Sequence, residues 1–193
     1  MSAKLFIPLL LALLLWTAPA RAEDAATLAA LTERAEHKDV AAQFLLAWRY
    51  YKGIGAPQNE VIAARWMTKA AQGGRADAQY YLGIMYEYGQ GVGADFGAAR
   101  KWLLKSADQK NGRAQAAVGW LYVNGWGVKT DLQEACSWFM EASLTDKLPD
   151  APNCNQVSAR LTPGQIGAAR EKAQNRYLEG KSPQEKKAFK DEG

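Results

Sequence analysis

AQYYLGIMYEYGQGVGADFGAARKWLLKSA, residues 78–107, is the middle copy of a pattern that recurs on both sides of it at a step of 36 residues. Gln43, Gln79 and Gln115 keep that step, as do Tyr50, Tyr86 and Tyr122, the glycines Gly53, Gly89 and Gly125, and the tryptophans Trp66, Trp102 and Trp138. Alignment of so many uncommon residues is not a product of chance. A period of this length marks stacked supersecondary units, each of which buries its apolar face only against its neighbours.

Within each copy the pattern reads helix, turn, helix. Ala42, Leu46 and Tyr50 recur as Ala78, Leu82 and Tyr86 and as Ala114, Val118 and Tyr122, an i, i+4, i+8 row that stays on one helical face and reads as core. Small residues at Ala47, Gly83 and Gly119 predict close approach of the neighbouring helix, which offsets the roughly 1 kcal/mol that glycine costs inside a helix. Gly53, Gly89 and Gly125 stand where a left-handed cap ends the first helix. Asn59, Asp95 and Asp131 stand as N-caps of the second, which carries Ala63 and Trp66, Ala99 and Trp102, or Ala135 and Trp138 toward its neighbours.

The string Ala78-Gln79-Tyr80-x-Leu82-Gly83-x-Met85-Tyr86-x-x-Gly89-x-Gly91-Val92-x-x-Asp95-x-x-x-Ala99-x-x-Trp102 resembles the Sel-1-like repeat, a relative of the tetratricopeptide repeat. The resemblance covers residues 41 to 145, and Leu161-Thr162-Pro163-x-Gln165-Ile166 is similar to the closing helix of many bacterial members. The first copy departs from it, with Ala56-Pro57 in place of the valine turn and Arg49 where Met85 and Leu121 stand. The resemblance implies an all-α, right-handed α-solenoid acting as an interaction scaffold. Exported members of the family are associated with regulating envelope polysaccharide and motility assemblies, with neutralising toxins in the periplasm and, in cysteine-rich forms, with binding penicillin-like ligands.

The ends frame the repeats. Lys4, the apolar run Leu5 to Trp16, Pro19 and Ala20-Arg21-Ala22 read as a secretory signal cleaved after Ala22, since the run is far shorter than the roughly 20 residues of a spanning helix. The expected organisation is therefore a signal over 1–22, a capping helix over 23–40, repeats over 41–76, 77–112 and 113–147, a loop and capping helix over 148–180, and a polar frayed tail over 181–193. Asp24 to Lys38 reads as a lone second helix, with Leu28, Leu31 and Ala35 on one face. Thr162-Pro163-Gly164-Gln165 opens the last helix as a capping box, and Ile166, Ala169, Ala173 and Tyr177 give it an apolar face. The two cysteines of an exported chain, Cys136 and Cys154, are expected to bridge, contributing on the order of 3 kcal/mol in the chain-entropy model.

Chemistry is thinly represented. Loss of Lys4 and Arg21 takes the 24 basic residues to 22 against 20 acidic, leaving about +2 scattered without a stripe, which gives no support to nucleic-acid binding. No Ser-x-x-Lys pair, zinc-protease motif or metal-spaced cysteine cluster occurs, and His37, the only histidine, falls in a turn with no second ligand or nucleophile beside it. Gly89-Gln90-Gly91-Val92-Gly93 follows a helix and recurs in each copy, unlike a phosphate loop, which follows a strand. Glu87 with Asp95 or Glu134 could form a carboxylate pair, although carboxylates at helix ends usually cap or face solvent. No enzyme activity, cofactor, metal or stable membrane insertion is expected.

The positions that the repeat leaves free carry the functional reading. Leu45, Trp48 and Lys52 align with Tyr81, Ile84 and Tyr88 and with Ala117, Trp120 and Asn124 beside the core row of the first helices, which line the concave side of such solenoids. Trp48, Tyr81, Ile84, Tyr88, Trp120 and the turn residue Trp126 are the candidate partner-binding set, because tryptophan and tyrosine are enriched among interface hot spots. The competing reading, in which they only seal helices together, stays open. The expectation is a non-catalytic periplasmic scaffold that binds another protein. The alternative is an immunity protein against a secreted toxin such as a type VI secretion phospholipase effector.

Overall fold

The computed structural model describes residues 27–146 and 154–191; the signal reading, and most of the loop after the last repeat, lie outside them. Among the described residues the chain forms helices and no strand. A first helix, α1 (27–36), is followed by α2 (Val40–Lys52) and α3 (Glu60–Gln72), α4 (Ala76–Tyr88) and α5 (Phe96–Asp108), α6 (Gly112–Asn124) and α7 (Leu132–Asp146). A short α8 (Asn155–Ser158), then α9 (Pro163–Leu178) and α10 (Pro183–Asp191), complete the order. Each helix of the repeats packs on the helix before and after it, and α9 packs on α7, so the molecule is an α-solenoid.

Local sequence sets these boundaries. Asn59, Asp95 and Asp131 accept the amides of Ile62, Ala98 and Glu134 at 3.0, 3.0 and 2.9 Å, satisfying donors that a helix start leaves unpaired. Gly53, Gly89 and Gly125 close α2, α4 and α6 at φ of 71°, 69° and 72°, a region that disfavours residues with a Cβ. The turn is closed in each copy by an amide donated back to the tyrosine carbonyl, from Asn59 to Tyr50, Asp95 to Tyr86 and Asp131 to Tyr122, at 2.8, 2.9 and 3.0 Å. The Ala56-Pro57 departure in the first copy therefore leaves the turn intact.

Helix pairs approach as closely as their small residues permit. A Cβ at Gly83 would stand 2.6 Å from Cγ of Leu103, and one at Gly119 2.5 Å from Cε1 of Phe139, so those positions admit nothing larger. Ala42, Leu46, Ala78, Leu82, Ala114 and Val118 are fully buried, as are Ala63, Ala99 and Ala135 opposite them. The repeat tyrosines and Trp66 and Trp102 are half-buried, and Trp102 packs on the cluster that joins the first unit to α4 of its own. The core runs as a chain of contiguous clusters along the stack rather than as one central mass.

The C-terminal end is fastened twice. Cys136 of α7 and Cys154 beyond the loop form a disulfide with Cα atoms 4.4 Å apart, both buried beside Phe139 and Val157. Thr162 and Gln165 make the reciprocal capping box that starts α9. From α9, Arg176 reaches back to Glu141 at 2.7 Å, Glu134 at 3.0 Å and Ser137 at 2.8 Å, and lies 3.9 Å over the Trp138 ring. Lys172 meets Glu134 at 2.6 Å, and Lys110 meets Glu141 at 3.3 Å while also donating to the Arg176 carbonyl. Glu141 is almost wholly buried under this cluster.

One expectation is corrected. The segment read as a frayed tail carries α10, because Ser182 and Glu185 exchange capping hydrogen bonds at its start and Phe189 lies 5.5 Å from the Tyr177 ring of α9. Capping and one aromatic contact do there what a periodic apolar face does elsewhere.

Truncating Arg176 to alanine leaves the buried Glu141 short of its principal partner and lowers the unfolding free energy by about 3 kcal/mol. The double change Glu141→Leu with Arg176→Met recovers most of that loss, since it removes both charges together. Urea denaturation of the three proteins checks this; equal stability of Arg176→Ala and the parent contradicts it.

Candidate functional site

Residues 45, 48 and 52 of α2 are the repeat equivalents of residues 81, 84 and 88 of α4. Trp48 and Tyr81 meet across the two helices with ring centroids 5.0 Å apart, and Tyr51, Phe44 and Tyr80 extend the cluster at 5.6, 6.1 and 5.1 Å from a neighbouring ring. The Lys52 ammonium sits 5.2 Å from the ring centres of both Trp48 and Tyr51. Between α2 and α4, Trp48, Tyr51, Lys52 and Tyr81 wall a cleft of about 180 Å³, with Ile84 and Gln90 completing its rim and the buried Met67 and Met85 beneath. The Tyr51 hydroxyl donates to Gln90 Oε1 at 3.2 Å and holds that rim. On the other side of Trp48, between α1 and α2, lies a cavity of about 360 Å³ lined by Leu31, Arg34, Leu45, Arg49 and Ile54.

The sequence candidates thus separate. Trp48, Tyr81 and Ile84 come together in one cleft. Tyr88, 65% exposed, stands at the end of α4, and Trp120, 38% exposed, packs edge-on against Phe139 at 5.4 Å. Trp126 is half-buried, stacked on Phe96 at 5.2 Å and 17° between planes, so the turn of the third unit rests on the start of α5. Phe44, Tyr51 and Phe96 were not among the candidates; they fall outside the variable row, and only their aromatic character marked them.

The acidic candidates do not converge. Asp95 caps α5, Glu134 lies in ion pairs with Lys172 and Arg176, and Glu87 is half-buried near the end of α4. Burial raises the Glu87 pKa above its ordinary 4.5, partly opposed by the neighbouring Tyr88 hydroxyl. The nearby Glu87 charge in turn raises the Tyr88 phenol. His37 is exposed, with Nδ1 2.7 Å from its helix carbonyl at Glu33. Among the described residues no group of histidine, cysteine and acidic side chains is placed to hold a metal ion, and no helix is long and apolar enough to cross a membrane.

Residues 40–74, 76–111 and 112–143 match the Sel1 repeat family model, in register with the three helix pairs. The chain belongs to the Sel1 repeat family. Its Sel1 repeats also align with solved structures. A protective antigen present in uropathogenic Escherichia coli strains, displaying an SLR fold, is 30% identical with a TM-score of 0.72 over 85% of this chain. The chain spans only 35% of that protein's length. A Sel1 repeat protein from Oxalobacter formigenes is 32% identical with a TM-score of 0.55, over 75% of this chain and 98% of the other. No curated protein matches. Sel1 repeat proteins generally mediate protein–protein interaction and are typically non-catalytic scaffolds.

Two measurements sort packing from surface on this Sel1 stack. Trp120→Ala forfeits the contact with Phe139 and lowers stability by about 1–2 kcal/mol, whereas Tyr88→Ala costs less than about 1 kcal/mol; thermal melts reversing that order contradict the assignment. For Glu87 the folded chain favours the protonated form, so its contribution to stability is full below the unfolded value of 4.5 and is lost as pH rises through the raised folded value. Glu87→Gln therefore melts above the parent at pH 7, and the gap closes as pH falls below 4.5. A gap independent of pH contradicts it.

Proposed function

We propose that this protein is a periplasmic, non-catalytic scaffold that holds a partner protein against the face formed by α2, α4 and α6. The supporting observation is a division of labour within each first helix. The recurring alanine and leucine or valine positions are fully buried and the recurring tyrosines half-buried, whereas the row free to vary carries Leu45, Tyr88 and Trp120 at 50%, 65% and 38% exposure, with Trp48 and Tyr81 walling an open cleft. Large aromatic groups left accessible in rows fit interface anchors better than they fit a sealed core. The export reading of residues 1–22 and the Cys136–Cys154 bridge are consistent with an oxidising compartment outside the cytoplasm.

The test is recovery of partners by the tagged protein from the periplasmic fraction, with Trp48→Ala and Trp120→Ala run alongside. A specific protein recovered by the parent and lost from at least one variant is the expected result. A membrane-complex component would make the scaffold a regulator or assembly factor. A tight one-to-one complex with a secreted toxin would make it an immunity protein. Retention of the same partner by both variants, or binding of a small ligand and no protein, rejects the proposal. Mass spectrometry of the recovered chain should find it starting at Glu23; an intact Met1 end rejects the assigned compartment.

A further inference from the structure

Trp48 lines both the cavity between α1 and α2 and the cleft between α2 and α4, so the two spaces adjoin at that side chain. Their charged lining has one sign. Arg34 and Arg49 border the larger cavity and Lys52 the smaller, and among the described residues no carboxylate borders either. Arg34 is held by Asp39 at 2.7 Å, but among the described residues Nη1 of Arg49 is buried with no hydrogen-bond partner, and Lys52 touches ring faces with no salt bridge to an acid. The apolar lining is equally marked, since Leu45 and Ile54 are 50% and 52% exposed.

The repeat explains why this end is open. At the next two interfaces the residue equivalent to Arg49 is apolar and buried, Met85 in the cluster with Met67 and Leu121 in the cluster with Leu103. At this first interface the corresponding pair is Arg49 and Leu31, which together line a cavity. A cation has been placed where packing asks for a hydrophobe, and such a departure costs stability unless something answers the charge.

We propose that the two cavities form one peptide groove divided by Trp48, and that its occupant is an acidic segment of the partner protein. Two bulky apolar side chains of that segment fill the cavities, and its carboxylates meet Arg49 and Lys52. The inference rests on the scaffold reading and narrows it to one end of the stack. An arginine fork pairs with a carboxylate in bidentate fashion, and opposite charges at a rim set register and approach. Tryptophan and tyrosine walls supply the anchoring contacts. The chain's own apolar run, Leu5 to Trp16, contains no carboxylate and would leave the cations unanswered.

The probe is a library of random short peptides displayed on phage and selected on the protein recovered from the periplasm, with the selected peptides then synthesised for fluorescence anisotropy. Selected sequences should be enriched in aspartate and glutamate beside leucine, phenylalanine or tryptophan. Lys52→Glu should weaken them about tenfold, and added salt should weaken them further. Trp48→Ala should abolish binding, while Lys186→Ala, in exposed α10 at the other end of the chain, leaves it unchanged. Lys52 is solvent-facing, so its variant should melt with the parent and keep the test valid if Trp48→Ala unfolds. Peptides without acidic bias, binding indifferent to Lys52→Glu, no selected binder, or self-association of the chain through Trp48 in sedimentation would each overturn the groove. If recovery of the natural partner fails with Trp120→Ala but survives both Trp48→Ala and Lys52→Glu, the groove falls and the scaffold reading stands.

Discussion

A buried glutamine amide joins each unit to the one before it. Gln43, Gln79 and Gln115, in the first turn of α2, α4 and α6, donate to the carbonyls of Ala35, Ala71 and Ala107 at 3.0, 3.1 and 3.4 Å. Those carbonyls belong to the last turn of the preceding helix and also accept the amides of Lys38, Gly74 and Lys110, so the glutamine adds a second bond to each, and its own buried amide would cost about 1–3 kcal/mol if left unmet. Apolar packing alone could let one unit slide or rotate on the next. A directional bond at the seam removes that freedom, and it does so at the base of the helices whose outer row carries Trp48, Tyr81 and Trp120. In the third unit the same amide also donates to Glu141 at 2.9 Å, which connects the seam to the ion cluster under α9.

The parts of this architecture legible in the sequence are those that the period repeats. The caps at Asn59, Asp95 and Asp131, the closing glycines and the close approach at Gly83 and Gly119 depend on residues within a few positions of each other or within one helix pair, and the period exposes them three times over. The disulfide was legible for another reason, since only two cysteines were available. The features that escaped are those present once. Trp126 finds Phe96, whose repeat equivalents are Glu60 and Leu132, so no recurrence advertises the stack. The salt-bridge partners Lys110 and Glu141, or Glu134 and Lys172, are separated by 31 and 38 residues, and opposite charges at such distances carry no local signature. Helix α10 escaped because its start is made by two capping residues and its docking by a single ring.

The candidate face was legible as a row but not as a site. Sequence spacing assigned Trp48, Tyr81, Ile84, Tyr88, Trp120 and Trp126 to one surface, and the structure divides them among a cleft, two separate exposed positions and a turn stack. Arg49 carried the best unused signal: its mismatch with Met85 and Leu121 was visible at once, yet its meaning depended on knowing that Leu31 and Trp48 leave space beside it. A deviation from a repeat is informative about function only once the packing that the repeat would have imposed is known.

The same reasoning explains how the stack is told where to stop. Three residues after the repeat tryptophan stand Lys69, Lys105 and then Glu141. In the first two units the lysine ammonium lies over the tryptophan of its own helix, at 3.9 and 4.7 Å, and the ring face is covered from within the unit. In the third unit the reversal of charge removes that cover and turns a buried carboxylate inward, creating a demand that only a cation from elsewhere can meet. Arg176 answers both needs, lying 3.9 Å over Trp138 and bonding Glu141 at 2.7 Å. Helix α9 consequently fits the end of the third unit and would find no matching carboxylate on the first or second, where a lysine already occupies the place. One substitution in an otherwise repeating surface thus specifies the position of the terminal helix, with the disulfide to Cys136 holding Cys154, at the start of α8, against α7.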